Sequence, residues 1–144
     1  MTTGLLALTI AAIFTGAALY VNVAEQPARL LLDDGPLLTE WKPSYMRGFA
    51  MQAPLALVGT VLGLIAWWQT SHIAFLMGAF AMIAPWPWTL LVIKPTNDAL
   101  LDTEIGKAGP LSRAFIVRWG WLHAVRTGLG VLATLAFLLG SMQR

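Results

Sequence analysis

Apolar residues fill four long runs of this sequence, each close to the length of a helix that crosses a lipid bilayer. The runs are Gly4 to Asn22, Gly48 to Trp68, Ile73 to Ile93 and Gly120 to Gly140. A spanning helix needs about 20 such residues, because backbone amides in hydrocarbon must be satisfied within the segment. Since the runs lack the short alternating pattern of barrel strands, they predict an all-α fold. We expect a four-helix transmembrane bundle forming one domain over residues 1–144.

Composition supports a membrane protein and excludes several functions. Of the 144 residues, 58% are hydrophobic and 11% are charged, whereas soluble domains carry about 25% charged residues. The mean hydropathy is +0.70. The net charge of +2 rests on so few ionisable groups that it indicates an asymmetry across a membrane and no nucleic-acid partner. The chain has no cysteine, which excludes disulfides, thiolate metal sites and a cysteine nucleophile.

The connections between the runs are unequal and predict a topology. Gln69 to His72 forms a tight hairpin, whereas Val23 to Arg47 and Lys94 to Trp119 are long. The two long connections hold seven of the nine Lys and Arg residues, and Arg144 lies on the opposite side. Positive residues favour the cytoplasmic side, so we expect cytoplasmic loops and both termini outside.

Both long connections contain signals of local structure. The turn Asp33–Pro36 is flanked by leucines, which predicts an amphipathic segment lying back on the bundle. Asn97 to Ile105 is typical of a short amphipathic helix ended by Gly106, and Ser112 is expected to N-cap an extension of the fourth helix. These loops are expected to form a structured lid.

Polar residues that are costly in a membrane helix recur with helical spacing near one end of the predicted bundle. Two such groups are Asn22, Glu25 and Arg29 at the end of the first run, and Trp119, His123 and Arg126 at the start of the fourth. The spacing places each group on one helix face. The second run adds Tyr45 and Gln52, and Asn97 follows the third. Because the first and third runs end where the second and fourth begin, all these side chains are expected to converge.

The convergence suggests either a working site or an interhelical clamp. Arg126 lies about 9 Å below Gly120 along a helix, a depth at which a guanidinium needs a partner. Glu25 is the expected partner. His123 is a candidate acid or base, because the ordinary pKa of histidine is near neutrality.

The third run contains the pattern Pro85-Trp86-Pro87-Trp88, which predicts a kink or an opening in the helix. The two indoles would then form a cavity wall, or the kink is merely structural.

Topology argues against a metal or haem held by two histidines. His72 is expected at the outer end of the third helix and His123 near the inner end of the fourth, about a bilayer thickness apart. A weak metal site formed by His123, Glu25 and Asn97 stays open.

Four stretches give the chain a familiar pattern. They are LYVNVAEQPAR at 19–29, WKPSY at 41–45 with Met51-Gln52, PWTLLVIKPTN at 87–97 and WGWLHAVRT at 119–127. In this order the chain resembles the membrane-bound anthrone oxygenase-like family, formerly a domain of unknown function, over nearly its whole length. The resemblance implies a four-helix membrane protein whose fungal relatives oxidise anthrones to anthraquinones.

The resemblance carries over to individual positions. The matching residues are Asn22, Glu25, Asn97, His123 and Arg126, whereas Gln26 stands where many relatives have histidine.

The leading hypothesis is an oxygenase acting on a lipophilic phenol, anthrone or quinol taken from the bilayer. His123 would abstract a proton from the substrate, and Glu25 would orient the His123 ring. Arg126, Asn22 and Asn97 would stabilise the oxyanion that forms on the substrate. The expected ring contacts are Trp86, Trp88 and Trp119, with Tyr45 and Gln52 also in the substrate site.

This scheme requires no cofactor, although a metal or haem stays open. The alternative is a non-catalytic subunit that binds lipid or quinone, with a second copy or a membrane complex as its partner. A small transporter ranks lower, because no internal symmetry is present. The expected location is the plasma membrane of a bacterium.

Overall fold

The computed structural model of this protein describes residues 2–143, which form four long helices. They are α1 (Thr2–Arg29), α2 (Asp34–Thr70), α3 (Ile73–Asp102) and α4 (Pro110–Met142). Each is long and apolar enough to cross a membrane. The predicted all-α bundle of four apolar helices is therefore confirmed. Arg144, which the sequence assigned to the outer side, lies outside the described residues.

The four helices pack as a square in chain order. α1 and α3 each pack along α2 and α4, and the contact across the diagonal from α2 to α4 is much smaller. Glycines allow the close approach: a Cβ at Gly63 of α2 or Gly78 of α3 would overlap the ring of Phe137. The hairpin between α2 and α3 turns at Ser71, which has a φ of 59°.

The helices are longer than predicted, because most of the expected loops are helical. Only residues 30–33 and 103–109 separate α1 from α2 and α3 from α4, and Ile105–Lys107 is a 3-10 turn. The 37 residues of α2 reach about 55 Å at 1.5 Å per residue, well beyond about 30 Å of hydrocarbon. The polar extensions are stable because they find partners: Lys42 Nζ donates to the carbonyls of Leu101 and Thr103 at 2.8 and 2.6 Å.

The ends of these extensions differ from the local predictions. The chain turns at residues 30–33 and α2 already begins at Asp34, so Asp33–Pro36 is not the turn. The helix expected from Asn97 is the last part of α3 and ends at Asp102. Ser112 does not occupy the N-cap of α4. It is the third residue of that helix, and its hydroxyl accepts from the Gly109 amide at 3.0 Å.

Two helices contain irregular turns at the same end of the bundle. α3 is interrupted at Ala84 and resumes with Pro85–Trp88, at the place where the prolines predicted a kink or an opening. A π-helical segment follows at Thr89–Ile93, and a second one lies in α1 at Val21–Glu25. Such segments add one residue to a turn and are frequent at functional sites.

The core is divided into two apolar clusters. One contains Phe14, Phe75, Met82 and Phe137, and the other contains the following residues at the loop end: Leu37, Leu38, Trp41, Ile93, Leu100, Ile116 and Trp119. Along α4, His123 and Arg126 lie after the second cluster and before Phe137 of the first. A buried polar layer therefore separates the two clusters.

Candidate functional site

The polar layer consists of side chains from three helices. Its members are Asn22 of α1, Gln52 of α2, and His123, Arg126 and Thr127 of α4. Four of the residues that were expected to converge thus come together: Asn22, Gln52, His123 and Arg126. Thr127 was not singled out, although it lies four residues after His123 and therefore on the same helix face.

Asn22 fixes the orientation of His123. Its Nδ2 donates to the Gly120 carbonyl at 2.9 Å, so Oδ1 is the atom that faces His123 Nδ1 at 2.8 Å and Thr127 Oγ1 at 2.7 Å. A carbonyl oxygen can only accept. His123 Nδ1 therefore carries the hydrogen, and in the neutral imidazole Nε2 keeps its lone pair. The ring also stacks on Trp119, with centroids 4.9 Å apart.

Arg126 is buried without a carboxylate partner among residues 2–143. Its Nη2 donates to Gln52 Oε1 at 3.2 Å, its guanidinium carbon lies 5.9 Å from the Phe14 ring centroid, and its Nε has no hydrogen-bond partner in the described part of the chain. A guanidinium has five donors. The side chain therefore has unused capacity to bind an oxygen anion.

The expected pairing of Glu25 with Arg126 was wrong. Glu25 accepts instead from Arg29, four residues along α1, and from Ser44 of α2. The π-helical segment changes the spacing between Asn22 and Glu25, so Asn22 bonds to α4 while Glu25 bonds towards α2. Glu25 consequently does not orient His123, and that role belongs to Asn22.

A second charged cluster surrounds Arg29 at the loop end of the bundle. Arg29 is buried and pairs with Glu25 and with Glu40, whose Oε2 lies 3.1 Å from Arg29 Nε. Its guanidinium carbon also lies 5.7 Å from the Trp119 ring centroid. Glu40 was missed because residues 23–47 were expected to be loop. Its spacing from Ser44 would have revealed the helix face they share.

Tyr45 and Asn97 form a pair beside the polar layer. Asn97 Nδ2 donates to Tyr45 Oη at 3.1 Å, and the Tyr45 ring stacks on Trp41 at 5.0 Å with an interplanar angle of 2°. Tyr45 lines a cavity next to His123, whereas Asn97 does not. Asn97 therefore supports Tyr45 rather than contacting a ligand in this cavity.

Two cavities meet at Arg126. The polar cavity has about 20 Å³ of free space, room for about one water molecule, and is lined by Val21, Ser44, Tyr45, Gly48, Phe49, Gln52, Trp119, His123 and Arg126. The apolar cavity is equally small, at about 20 Å³, and is lined by Phe49, Ala53, Ala56, Pro85, Trp86, Thr89, Leu90 and Arg126. Phe49 and Arg126 line both. The paired cavities offer a site with one polar half and one apolar half.

The two indoles of the α3 break have different environments. Trp86 lines the apolar cavity and its Nε1 donates to the Ala53 carbonyl at 3.2 Å. Trp88 lines neither cavity. It packs against the loop-end cluster and donates to the Leu122 carbonyl at 3.0 Å.

The histidines lie apart, as the topology indicated. His72 precedes the first residue of α3 at the opposite end of the bundle, while His123 lies in the polar layer. Among residues 2–143, no three His, Asp or Glu side chains are grouped so that they could hold a metal ion.

The fold and the site together define a class of protein. It is a bundle of four helices, each long enough to span a membrane, with a buried centre made of a histidine, an arginine and side-chain amides. A family model described as "Anthrone oxygenase" matches residues 41–136. The chain therefore belongs to the anthrone oxygenase family. The matched region includes His123 and Arg126, and Asn22 and Glu25 precede it.

One curated relative is named "Anthrone oxygenase nsrD" and comes from Aspergillus novofumigatus (strain IBT 16806). It is 31% identical over 111 residues, a match that covers 67% of this chain and 65% of the relative's length. No solved structure matches the chain significantly.

Proposed function

We propose that this protein is a membrane oxygenase that oxidises a lipophilic aromatic substrate of the anthrone, phenol or quinol type. The observation that carries the proposal is the hydrogen bond from His123 Nδ1 to Asn22. It leaves Nε2 with a free lone pair, and His123 lines a cavity that Arg126 also lines. A base and an unpaired cation beside the same space are what the removal of a proton from such a substrate requires.

The chemistry follows from this pair. Nε2 of His123 takes a proton from the acidic carbon of an anthrone, and the electron pair of that C–H bond moves into the ring as an enolate. The enolate oxygen binds Arg126, which stabilises the new negative charge. The site thus binds the anion more tightly than the neutral substrate, which is the condition for catalysis.

Dioxygen is the co-substrate that completes the reaction. The carbanionic carbon forms a bond to O₂, and the peroxide anion takes back the proton from His123. Loss of the second hydrogen of that carbon with the distal oxygen then releases one water and leaves a carbonyl. Anthrone and O₂ give anthraquinone and water, so atoms and electrons balance without an external reductant.

The experiment is O₂ uptake by the purified protein with anthrone, corrected for autoxidation. We expect His123→Ala to lower the rate by about 10²- to 10⁴-fold, the range of general-base catalysis. His72→Ala is the matched control, because this second histidine lies at the other end of the bundle. Equal rates for wild type and His123→Ala across anthrones, phenols and quinols would overturn the proposal.

A second candidate function is non-catalytic binding of lipid or quinone in a membrane complex. It is favoured by the bonds that tie helices together: Asn22 joins α1 to α4, and Arg29 joins α1 to α2 through Glu40. In this case His123→Ala would lower the thermal stability without any O₂ uptake to lose. A stoichiometric protein partner that co-purifies from membranes would support it.

A further inference from the structure

Thr89 is unusual among the threonines of this protein. Six others donate their hydroxyl to the carbonyl four residues earlier in the chain: Thr9, Thr39, Thr60, Thr70, Thr103 and Thr134. Thr89 is only 7% exposed, yet its Oγ1 has no hydrogen-bond partner among residues 2–143. Buried hydroxyls normally have partners, because leaving one unsatisfied is costly. This hydroxyl lines the apolar cavity.

Arg126 Nε is the second unsatisfied donor of the same cavity. Arg126 is 7% exposed, so neither donor is a surface group. Their neighbours in the apolar cavity are otherwise hydrocarbon or aromatic, namely Phe49, Ala53, Ala56 and Trp86. Two unused donors in an otherwise apolar lining complement a ligand that is hydrocarbon except for one oxygen acceptor.

Phe49 stands between this space and His123. It lines both cavities, and its ring centroid lies 6.3 Å from that of Tyr45 on the polar side and 6.4 Å from that of Trp86 on the apolar side. Phe49 is 39% exposed and Leu90 is 53% exposed. The apolar cavity therefore borders the outer surface of the bundle between α2 and α3.

We propose that the two cavities are halves of one ligand site, joined and widened when Phe49 moves aside, and that Thr89 is a substrate-binding residue. The ligand enters between α2 and α3 past Leu90. Its ketone or phenol oxygen binds Thr89 Oγ1 and Arg126 in the apolar half, and the acidic carbon across the same ring reaches His123 in the polar half. The inference rests on the proposed function and adds to it the residue that binds the substrate oxygen and the path by which the substrate enters.

The site predicts opposite effects of one substitution on binding and on stability. Thr89→Val removes the hydroxyl at constant shape, so we expect unchanged or higher thermal stability, because an unsatisfied group is lost. We expect about tenfold weaker binding of a three-ring ketone. Thr89→Ser should restore binding. A merely structural threonine would lose stability instead and leave binding unchanged.

Binding is measured without turnover, with anthraquinone as a probe that O₂ does not oxidise. Quenching of tryptophan fluorescence in lipid nanodiscs reports its affinity, and p-benzoquinone serves as the one-ring comparison. Thr60→Val is the matched control for Thr89, since the Thr60 hydroxyl donates to its own helix at 2.7 Å. Phe80→Ala is the control for Phe49→Ala, because Phe80 is exposed and lines neither cavity.

Support requires that Thr89→Val weakens anthraquinone binding and that Phe49→Ala strengthens it relative to benzoquinone, with both controls at wild-type affinity. Wild-type affinities for Thr89→Val and Phe49→Ala, or equal losses in the controls, would overturn the inference. The outcome is separable from the proposed function. Thr89-dependent binding without O₂ uptake would refute the oxygenase and support the ligand site. O₂ uptake with binding that does not depend on Thr89 would support the oxygenase and refute the ligand site.

Discussion

Removal of the Asn22 carboxamide is the most direct test of the site. Asn22→Ala removes three hydrogen bonds, to the Gly120 carbonyl, His123 Nδ1 and Thr127 Oγ1. Hydrogen bonds between membrane helices average about 0.6 kcal/mol each, so the three together stabilise the fold by about 2 kcal/mol. At about 1.4 kcal/mol per factor of ten, this is a roughly 25-fold change in the unfolding equilibrium.

The effect on histidine chemistry is separate from the effect on stability. With Asn22 present, His123 should carry its hydrogen on Nδ1. With Asn22→Ala, the Nε2-protonated tautomer becomes accessible, so the fraction of free base in the cavity falls and O₂ uptake falls with it. Asn22→Asp keeps an acceptor for Nδ1 but loses the donor to Gly120. We therefore expect it to cost stability and to preserve the tautomer.

The assay is ¹⁵N NMR of histidine-labelled protein in detergent, together with chemical unfolding. The chain has two histidines, so in a His72→Gln background the only histidine signals are those of His123. A wild-type spectrum in which neutral His123 carries its hydrogen on Nε2 would refute the reasoning, whatever the activity of the variants.

Three further predictions concern the charges and the lipid-facing side. Arg126→Met should abolish O₂ uptake without lowering stability, because it replaces a buried unpaired cation by a residue of similar size; melting curves and uptake rates check this. Arg29→Met should destabilise by about 2 kcal/mol in chemical unfolding, because it removes charged hydrogen bonds from the partly exposed carboxylates of Glu25 and Glu40; an unchanged midpoint would contradict it. Leu90→Trp should slow uptake of anthrone by narrowing the access, whereas Leu91→Trp, at a 77% exposed position that lines neither cavity, should match wild type.

The sequence was sufficient for the architecture, because bilayer-length apolar runs leave a chain few alternatives. It also located the polar layer, since Asn22, His123 and Arg126 combine helical spacing with a cost that only the bundle interior can offset. The break at Pro85 was equally accessible, because proline cannot donate in a helix.

The pairing of charges could not be predicted in the same way. Spacing rules assume a regular α-helix, and the π-helical segment at Val21–Glu25 changes which helix each side chain meets. The role of Thr89 could not be predicted from the sequence for a related reason. The hydroxyl of a threonine in an apolar run normally donates a hydrogen bond to its own helix, and only the structure shows that the Thr89 hydroxyl does not. The true length of α2 was missed because Lys42 and Glu40 are polar, and their partners lie on other helices.

The two π-helical segments, at 21–25 in α1 and 89–93 in α3, have a consequence for the comparison of relatives. Each holds one residue more than a regular turn, so the helix after it is rotated by about 100° relative to an uninterrupted α-helix. A relative that lacks one residue here would keep both helices but present a different face to the polar layer. Single-residue gaps at these two places therefore mark changes of chemistry rather than of fold, and an alignment that smooths them over will equate side chains that point into different cavities.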